Sequence, residues 1–300
     1  MKLRRVVASH GLGNQLFQFC FAHNLIEPEC RVRIENNPIW SPGLNYSLNT
    51  LKSICTHLNI LTNPTISHSS ILGRITYRLK IATPVANLFM RYARHARVIE
   101  NPKDYFTFRP TLATSKEKKI IYQGFWTNWK YVFSQRDSAI KDIQQYLDTK
   151  VKLIDLPSKS SKNLIIHVRR GDYLERGNDS IFGIITAQSY KKVVKEIQNQ
   201  FGDVNIITLT DDFNLSKNDL YGKNFGHILT PDLCDQWQAL NLMSRADIVV
   251  SANSTLSWWG AVLATINGGR AYIPANFYKN LDTKGAFDFP KLIKYQNSHY

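Results

Sequence analysis

Short apolar runs alternate with longer amphipathic stretches along this chain. Residues 6–8, Val-Val-Ala, read as a short buried strand, 11–13 as a glycine turn, and 14–25 as an apolar helix. Residues 28–64 are rich in Pro and Asn and read as irregular, and 71–100 read as helical, broken near Pro84. Residues 118–125 suit a strand, 131–147 a helix, and the polar, basic stretch 157–162 a linker. The alternation then becomes regular. Strands are expected at 164–168, 204–209, 225–229, 248–251 and 271–273, with helices at 186–201, 234–246 and 257–264. Strands alternating with helices imply an α/β fold on a parallel sheet with right-handed crossovers. The first half begins the same way. The simplest architecture is two α/β domains, 1–155 and 163–300, with a basic helical insertion at about 71–100 and the parallel sheets facing an interdomain cleft.

Length supports that division, since 300 residues, 43% of them hydrophobic, fill one large core or two medium ones. Charge adds a partner class. A formal net charge of +15 attracts polyanions: nucleic acid, nucleotide phosphates or an anionic membrane face. A generally basic surface with no partner is the plain alternative. In 71–100, Arg74, Arg78, Lys80, Arg91, Arg94 and Arg97 interleave with Ile75, Leu79, Leu88, Phe89 and Tyr92. That pattern suits peripheral contact with anionic headgroups, or a helix with a solvated basic face. Cys20, Cys30, Cys55 and Cys234 form no CxxC, which fits a reducing compartment, and Cys20 lies in a core-like apolar run. The start has no secretory h-region, and no stretch approaches the roughly 18 apolar residues of a membrane span. The expected location is cytoplasmic, at most peripheral at the inner face of the membrane.

Four segments carry chemistry. In His10-Gly11-Leu12-Gly13-Asn14-Gln15, a glycine turn between strand and helix offers backbone N–H groups to an anion. Leu16 stands where the dinucleotide fingerprint needs a third glycine. Asn14 and Gln15 fall just past the strand's carboxyl end, where open sheets bind ligands; an ordinary glycine turn is the alternative. In His167-Val168-Arg169-Arg170-Gly171-Asp172-Tyr173, His167 and Arg169 share a strand face. One arginine is suited to grip a diphosphate while Asp172 orients the other, because one aspartate neutralises only one of two cations. A structural Arg–Asp pair is the alternative. In Asn253-Ser254-Thr255-Leu256-Ser257-Trp258-Trp259-Gly260, hydroxyls and N–H groups converge at a helix start, a second anion site or an ordinary serine cap. The two tryptophans suit packing. Thr210-Asp211-Asp212 ends a strand at the same edge, either to accept from a guanine or ribose or to cap the loop. P-loop, HExxH and Asp-x-Asp are missing, so no metal ligands are assigned; a diphosphate would be met by arginine, helix ends and hydroxyls.

Together these segments resemble glycosyltransferase family 11, the alpha-1,2-fucosyltransferases. The resemblance rests on Gly11-Leu12-Gly13-Asn14-Gln15-Leu16-Phe17-Gln18, Tyr122-Gln123-Gly124-Phe125-Trp126, His167 to Tyr173, and Asn253 to Ala261, in family order. It implies a GT-B arrangement of two Rossmann-like domains. It implies GDP-fucose as donor, no cofactor or metal, inversion at the fucose anomeric carbon, and transfer to the 2-hydroxyl of a galactose-containing glycan in surface polysaccharide or O-antigen synthesis. By that similarity Arg169 holds the diphosphate with His167, Arg170 and Asp172 beside it. Asn253, Ser254, Thr255 and Ser257 line the donor pocket, and Asp211 lies near the guanosine. His10 departs from the family, where many members carry another glycine; with Asp172 it is a candidate general base. Residues 64–110 match no family signature, so acceptor choice is open. Two rivals stand beside this reading. One is a transferase using another nucleotide sugar; the other is a nucleic-acid binder using Trp126, Trp129 and Tyr131 among basic residues.

Overall fold

The computed structural model describes residues 2–27, 30–36, 54, 96–110, 116–133, 138–157, 161–174, 177–214 and 225–300. The chain divides into two compact units, Met1–Tyr146 and Leu147–Tyr300.

Unit 1 holds β1 (Lys2–Ala8), α1 (Leu12–Asn24), β2 (Cys30–Asn36), β3 (Ala96–Ile99), β4 (Lys119–Gln123) and α2 (Trp129–Phe133). Helix α3 (Ser138–Lys150) runs across the division into unit 2. The sheet order is β2-β1-β4-β3, every described pairing parallel. Central parallel strands are covered on both faces, so their apolar residues come in unbroken runs; Val6, Val7 and Ala8 are buried, as are Ile120, Ile121 and Tyr122. Helix α1 packs Leu16, Phe17, Phe19, Cys20 and Phe21 into the same core.

Three expectations for this half need correction. Residues 30–36, read as irregular, form β2, in which Arg31, Arg33 and Glu35 alternate with Val32 and Ile34 in the period of an edge strand. The stretch read as helical to residue 100 ends in strand β3, where Val98 and Ile99 favour extended backbone. The rest of that basic stretch, 71–95, lies outside the described residues, as does Cys55. In place of one helix at 131–147 there are two, α2 and α3.

Unit 2 holds β5 (Lys162–Val168), α4 (Asn178–Ile181), α5 (Ala187–Phe201), β6 (Val204–Thr210), β7 (His227–Leu229), α6 (Gln236–Ser244), β8 (Ile248–Val250), α7 (Thr255–Ile266), β9 (Arg270–Pro274) and β10 (Ile293–Tyr295). Local chemistry fixes the helix starts. Thr186 caps α5 through the Ser189 N–H, and Asp235 and Gln238 form a capping box on α6. The sheet order is β10-β9-β8-β5-β6-β7, all parallel. From β5 the chain winds outward through β6 and β7, then returns to the other side of β5 and winds through β8, β9 and β10. That is the doubly wound nucleotide-binding order. Ile166, Val168 and Val250 pack with Tyr190, Ile197 and Tyr295. Trp258 and Trp259 are wholly buried, and the Trp258 indole donates to the Phe287 carbonyl at 2.9 Å. No described helix is long and apolar enough to cross a membrane.

Candidate active site

Where a doubly wound sheet reverses, the loops leaving the two flanking strands run apart and leave a crevice at their carboxyl ends. In unit 2 those strands are β5 and β8, so the loops at 169–174 and 251–254 border it. The His-x-Arg-Arg and Asn-Ser-Thr segments, 80 residues apart in sequence, thus share one sheet edge: the Tyr173 hydroxyl donates to the Asn253 carbonyl at 2.9 Å.

Register sets the charges. β5 and β6 pair with Val168 opposite Thr210, so continuing the ladder puts Arg169 opposite Asp211 and Arg170 opposite Asp212. Both ion pairs form: Arg169 Nη1 to Asp211 Oδ2 at 2.8 Å, and Arg170 Nε to Asp212 Oδ2 at 2.9 Å. Arg169 Nη2 also reaches Asp172 Oδ1 at 2.6 Å, and its guanidinium carbon lies 5.5 Å from the Tyr173 ring centroid. This corrects the expectation that one arginine is left without a carboxylate. Two guanidiniums face three carboxylates, and Arg169 is gripped by two of them.

Asp211 is fully engaged. Its Oδ1 accepts the backbone N–H groups of Arg170 and Gly171 at 2.7 and 2.9 Å while Oδ2 holds Arg169. Of the two roles open for it, capping the loop is the one its bonds serve. Gly171 is required by this approach, because a Cβ there would stand 2.8 Å from Asp211 Cγ and closer still to Oδ2.

His167 is buried at 6% exposure on β5. Burial pushes its imidazole down to about 4; Arg169 acts the same way and Asp211 opposes, so the ring is neutral at pH 7. Its Nδ1 is buried without a hydrogen-bond partner among the described residues. The Asn253 amide donates to the Phe182 and Gly183 carbonyls at 3.0 and 2.9 Å, and its Oδ1 is likewise buried and unpartnered. Ser254 is the N-cap of α7 yet makes no side-chain cap bond, unlike the residues that cap α5 and α6. The N–H groups of that first turn are therefore left to a ligand or solvent. Thr255 opens the helix and is half-buried. Ser257 is wholly buried, with its hydroxyl among the Ala252 and Ser254 carbonyls and Ser251 Oγ, so it braces the turn.

The remaining expected residues belong to unit 1. The backbone conformation that glycine favours falls on His10, at φ 68°, while Gly11 has φ −69°. The glycine expected there would relieve that strain. His10 Nδ1 lies 2.9 Å from Ser9 Oγ, the ring sits 4.6 Å from that of Phe125, and burial lowers its pKa. The Gln15 amide donates to the His10 carbonyl at 2.6 Å and so holds the turn, while its Oε1 is buried without a partner among the described residues. Gly13 is buried in the first turn of α1, and Asn14 is half-buried with its N–H on the Gly11 carbonyl at 3.0 Å.

Sequence reasoning set Asp212 and Gly171 in chemical segments without a role of their own, which the β5–β6 register supplies, and it missed one contributor altogether. Glu100, at 4% exposure, follows β3, itself misread as helix. Burial pushes its carboxyl up to about 7, opposed by N–H bonds from Trp126 and Phe125. A cavity of about 390 Å³ lined by Lys162, Arg245, Asp247 and Arg270 opens at the opposite, amino-terminal edge of the unit 2 sheet.

Residues 6–287 match the family model described as glycosyl transferase family 11. The chain is 25% identical over 175 residues to an alpha-1,2-colitosyltransferase of Escherichia coli, covering 55% of this chain and 58% of that protein. It is 30% identical over 116 residues to the O-antigen biosynthesis glycosyltransferase WbnK of Escherichia coli, covering 38% of each. Both matches span less than two thirds of the relative's length. Among solved structures, the E. coli ADP-heptose lps heptosyltransferase II is similar at 12% identity and a TM-score of 0.47, over 98% of this chain and 90% of that one.

Proposed function

The chain belongs to glycosyl transferase family 11, and from that premise we propose that it moves L-fucose from GDP-fucose to the 2-hydroxyl of a galactoside, with inversion and without a metal ion. One observation carries the reading. The Arg169 guanidinium, fixed by Asp172 and Asp211 over Tyr173, sits at the same crevice edge as the uncapped start of α7.

As GDP departs, negative charge grows on its diphosphate. A guanidinium already oriented stabilises that charge more in the transition state than in the ground state, with no reorganisation at the moment of reaction. The α7 N–H groups add a second positive pole on the same side. Asn253 Oδ1 and His167 Nδ1, buried without partners, are polar atoms suited to a ligand's donors. For the acceptor hydroxyl, His10 is the better of the two candidate bases. Its lowered pKa leaves a neutral ring with a lone pair at pH 7, whereas the Asp172 carboxylate is held by Arg169.

The O-antigen role in the name of one relative fits a surface-polysaccharide acceptor, met at the inner face of a membrane by a cytoplasmic, basic enzyme. The colitosyltransferase supplies a second reading, in which the donor sugar is colitose. The nucleic-acid rival loses two of its three aromatic residues, since Trp126 and Tyr131 are buried and only Trp129 is half-buried.

The test is transfer from labelled GDP-fucose, GDP-colitose, GDP-mannose and UDP-galactose to a galactoside array, with and without EDTA. The reading expects GDP-fucose turnover that survives chelation. It also expects Arg169→Ala to fold while losing about 100- to 1,000-fold in rate. Preference for another donor, loss in EDTA restored by magnesium, or near-normal Arg169→Ala turnover each defeats the corresponding part.

A further inference from the structure

Unit 1 has a change of strand order of its own. β1 and β4 lie side by side, with β2 beyond one and β3 beyond the other. Both central strands end in strained backbone: His10 after β1 has φ 68°, and Trp126 after β4 has φ 54°. Among the described non-glycine residues only Lys284 shares that left-handed conformation. Such strain persists where surrounding contacts over-determine it, and it concentrates at functional sites.

The contacts here are specific. From α1, Gln18 Oε1 accepts the Ser9 N–H at 2.9 Å, and Gln18 Nε2 donates to the Gly124 carbonyl at 2.9 Å, tying the two loops together. From the end of β3, Glu100 Oε2 accepts the N–H groups of Phe125 and Trp126 at 2.7 and 3.2 Å. Gly124 makes room for it, since a Cβ there would lie 2.6 Å from that oxygen. Phe125, oriented in this way, packs against the His10 imidazole.

We infer that Glu100 is a positioning residue for His10: its ionised carboxylate fixes the 124–126 turn, which holds Phe125 against the imidazole. The inference rests on the reading of His10 as the base toward the acceptor hydroxyl. A carboxylate accepts two N–H bonds more strongly than the neutral acid, which brings a proton needing an acceptor of its own. The groups facing Glu100 are Arg109, which favours ionisation, Asp104, which opposes it and is paired with Arg109, and the phenols of Tyr105 and Tyr131. Burial of the carboxyl brings its titration close to neutrality, so the grip on the turn tightens as pH rises through about 7. His10 itself is shifted by burial, not by a neighbouring charge, so its coupling to Glu100 passes through the packing of Phe125.

The experiment compares wild type with Glu100→Gln and Phe125→Leu, reading transfer kinetics from pH 5.5 to 8.5 and the His10 imidazole titration by NMR. For wild type, kcat rises through pH 7. Glu100→Gln lacks that limb, loses about 10- to 100-fold in kcat with little change in donor KM, and titrates His10 closer to its ordinary value. Phe125→Leu, which leaves Glu100 in place, moves the His10 titration the same way. A folded Glu100→Gln with the wild-type pH profile and an unmoved His10 overturns the inference. If Glu100→Gln fails to fold, an unmoved His10 in Phe125→Leu does so. If wild type transfers no sugar from any donor, the glycosyl-transfer reading falls, while the NMR titration still decides whether Glu100 and His10 are coupled.

Discussion

Gly171→Ala is the sharpest test of how the Arg169 loop is built. The added methyl would stand 2.8 Å from Asp211 Cγ, inside contact distance, so the carboxylate must swing away. Swinging away breaks its bonds from the Arg170 and Gly171 N–H groups and its ion pair with Arg169. A hydrogen bond to a charged group contributes about 1.5–3 kcal/mol, so losing two costs about 3–6 kcal/mol before relaxation. Relaxation recovers part of it, because Asp211 is partly exposed and finds water. A net loss of about 3 kcal/mol in a unit of this size lowers Tm by about 6–12 °C. Arg169 keeps Asp172 but loses its second anchor, and about 1.4–2.8 kcal/mol of lost transition-state stabilisation lowers kcat/KM about 10- to 100-fold. The assays are a thermal melt and GDP-release kinetics on the purified variant. A Gly171→Ala protein that melts within about 2 °C of wild type with unchanged kcat/KM would show that Asp211 does not hold the loop.

Gly11 offers the contrasting case, since a Cβ there meets nothing within 4 Å among the described residues beyond its chain neighbours. Gly11→Ala should cost about 1 kcal/mol or less as an N-cap change, so a melt near wild type with a clear fall in turnover would place a ligand against that backbone, and unchanged turnover would remove Gly11 from the site. Glu100 gives a stability prediction with a definite sign: its folded pKa is raised from 4.5 to about 7, so the stability it contributes is full below 4.5 and lost as pH rises through 7, by about 3 kcal/mol. The melting temperature of Glu100→Gln minus that of wild type should therefore climb from pH 4.5 to 7.5, and a flat difference refutes it. His167, lowered to about 4, has the opposite sign: its contribution is present above 6.5 and lost as pH falls through 4, so His167→Gln should flatten the acid limb of the melt profile.

The second half of the chain was legible because its strands are buried on both faces. Such strands appear as short apolar runs, as in Leu164-Ile165-Ile166 and Ile248-Val249-Val250, and the Thr186 cap and the Asp235–Gln238 box mark helix starts within two residues of those read. The first half was less legible because β2 alternates charge with apolar residues inside a Pro- and Asn-rich stretch, while β3 has four residues behind a run of arginines. β10, Ile-Lys-Tyr, is too short to carry a period and is recognised only by its pairing with β9. At the site, sequence named Arg169, Asp172 and Asp211 but not their arithmetic. The pairing of two arginines with three aspartates follows from Val168 standing opposite Thr210, a register that no local pattern encodes.

The left-handed backbone of the first turn falls on a residue that the sequence does not mark for it, for a reason that bears on function. A sequence assigns left-handed backbone to glycine because glycine bears it at least cost. Here Gly11 is in ordinary extended backbone and His10 beside it carries the positive φ. An imidazole held in that conformation by Gln15, Gln18 and the Phe125 ring is placed by surrounding contacts against its own preference. The same holds for Trp126, pinned by Glu100. Gln15 and Gln18 are local to the His10 turn, but Phe125 against His10 and Glu100 against Trp126 come from other elements, so that part of the support can be read only after folding. Ionising Glu100 costs fold stability while strengthening its hold on the Phe125 turn. Stability and turnover should therefore move in opposite directions through the same pH range, a relation that a purely structural carboxylate would not produce.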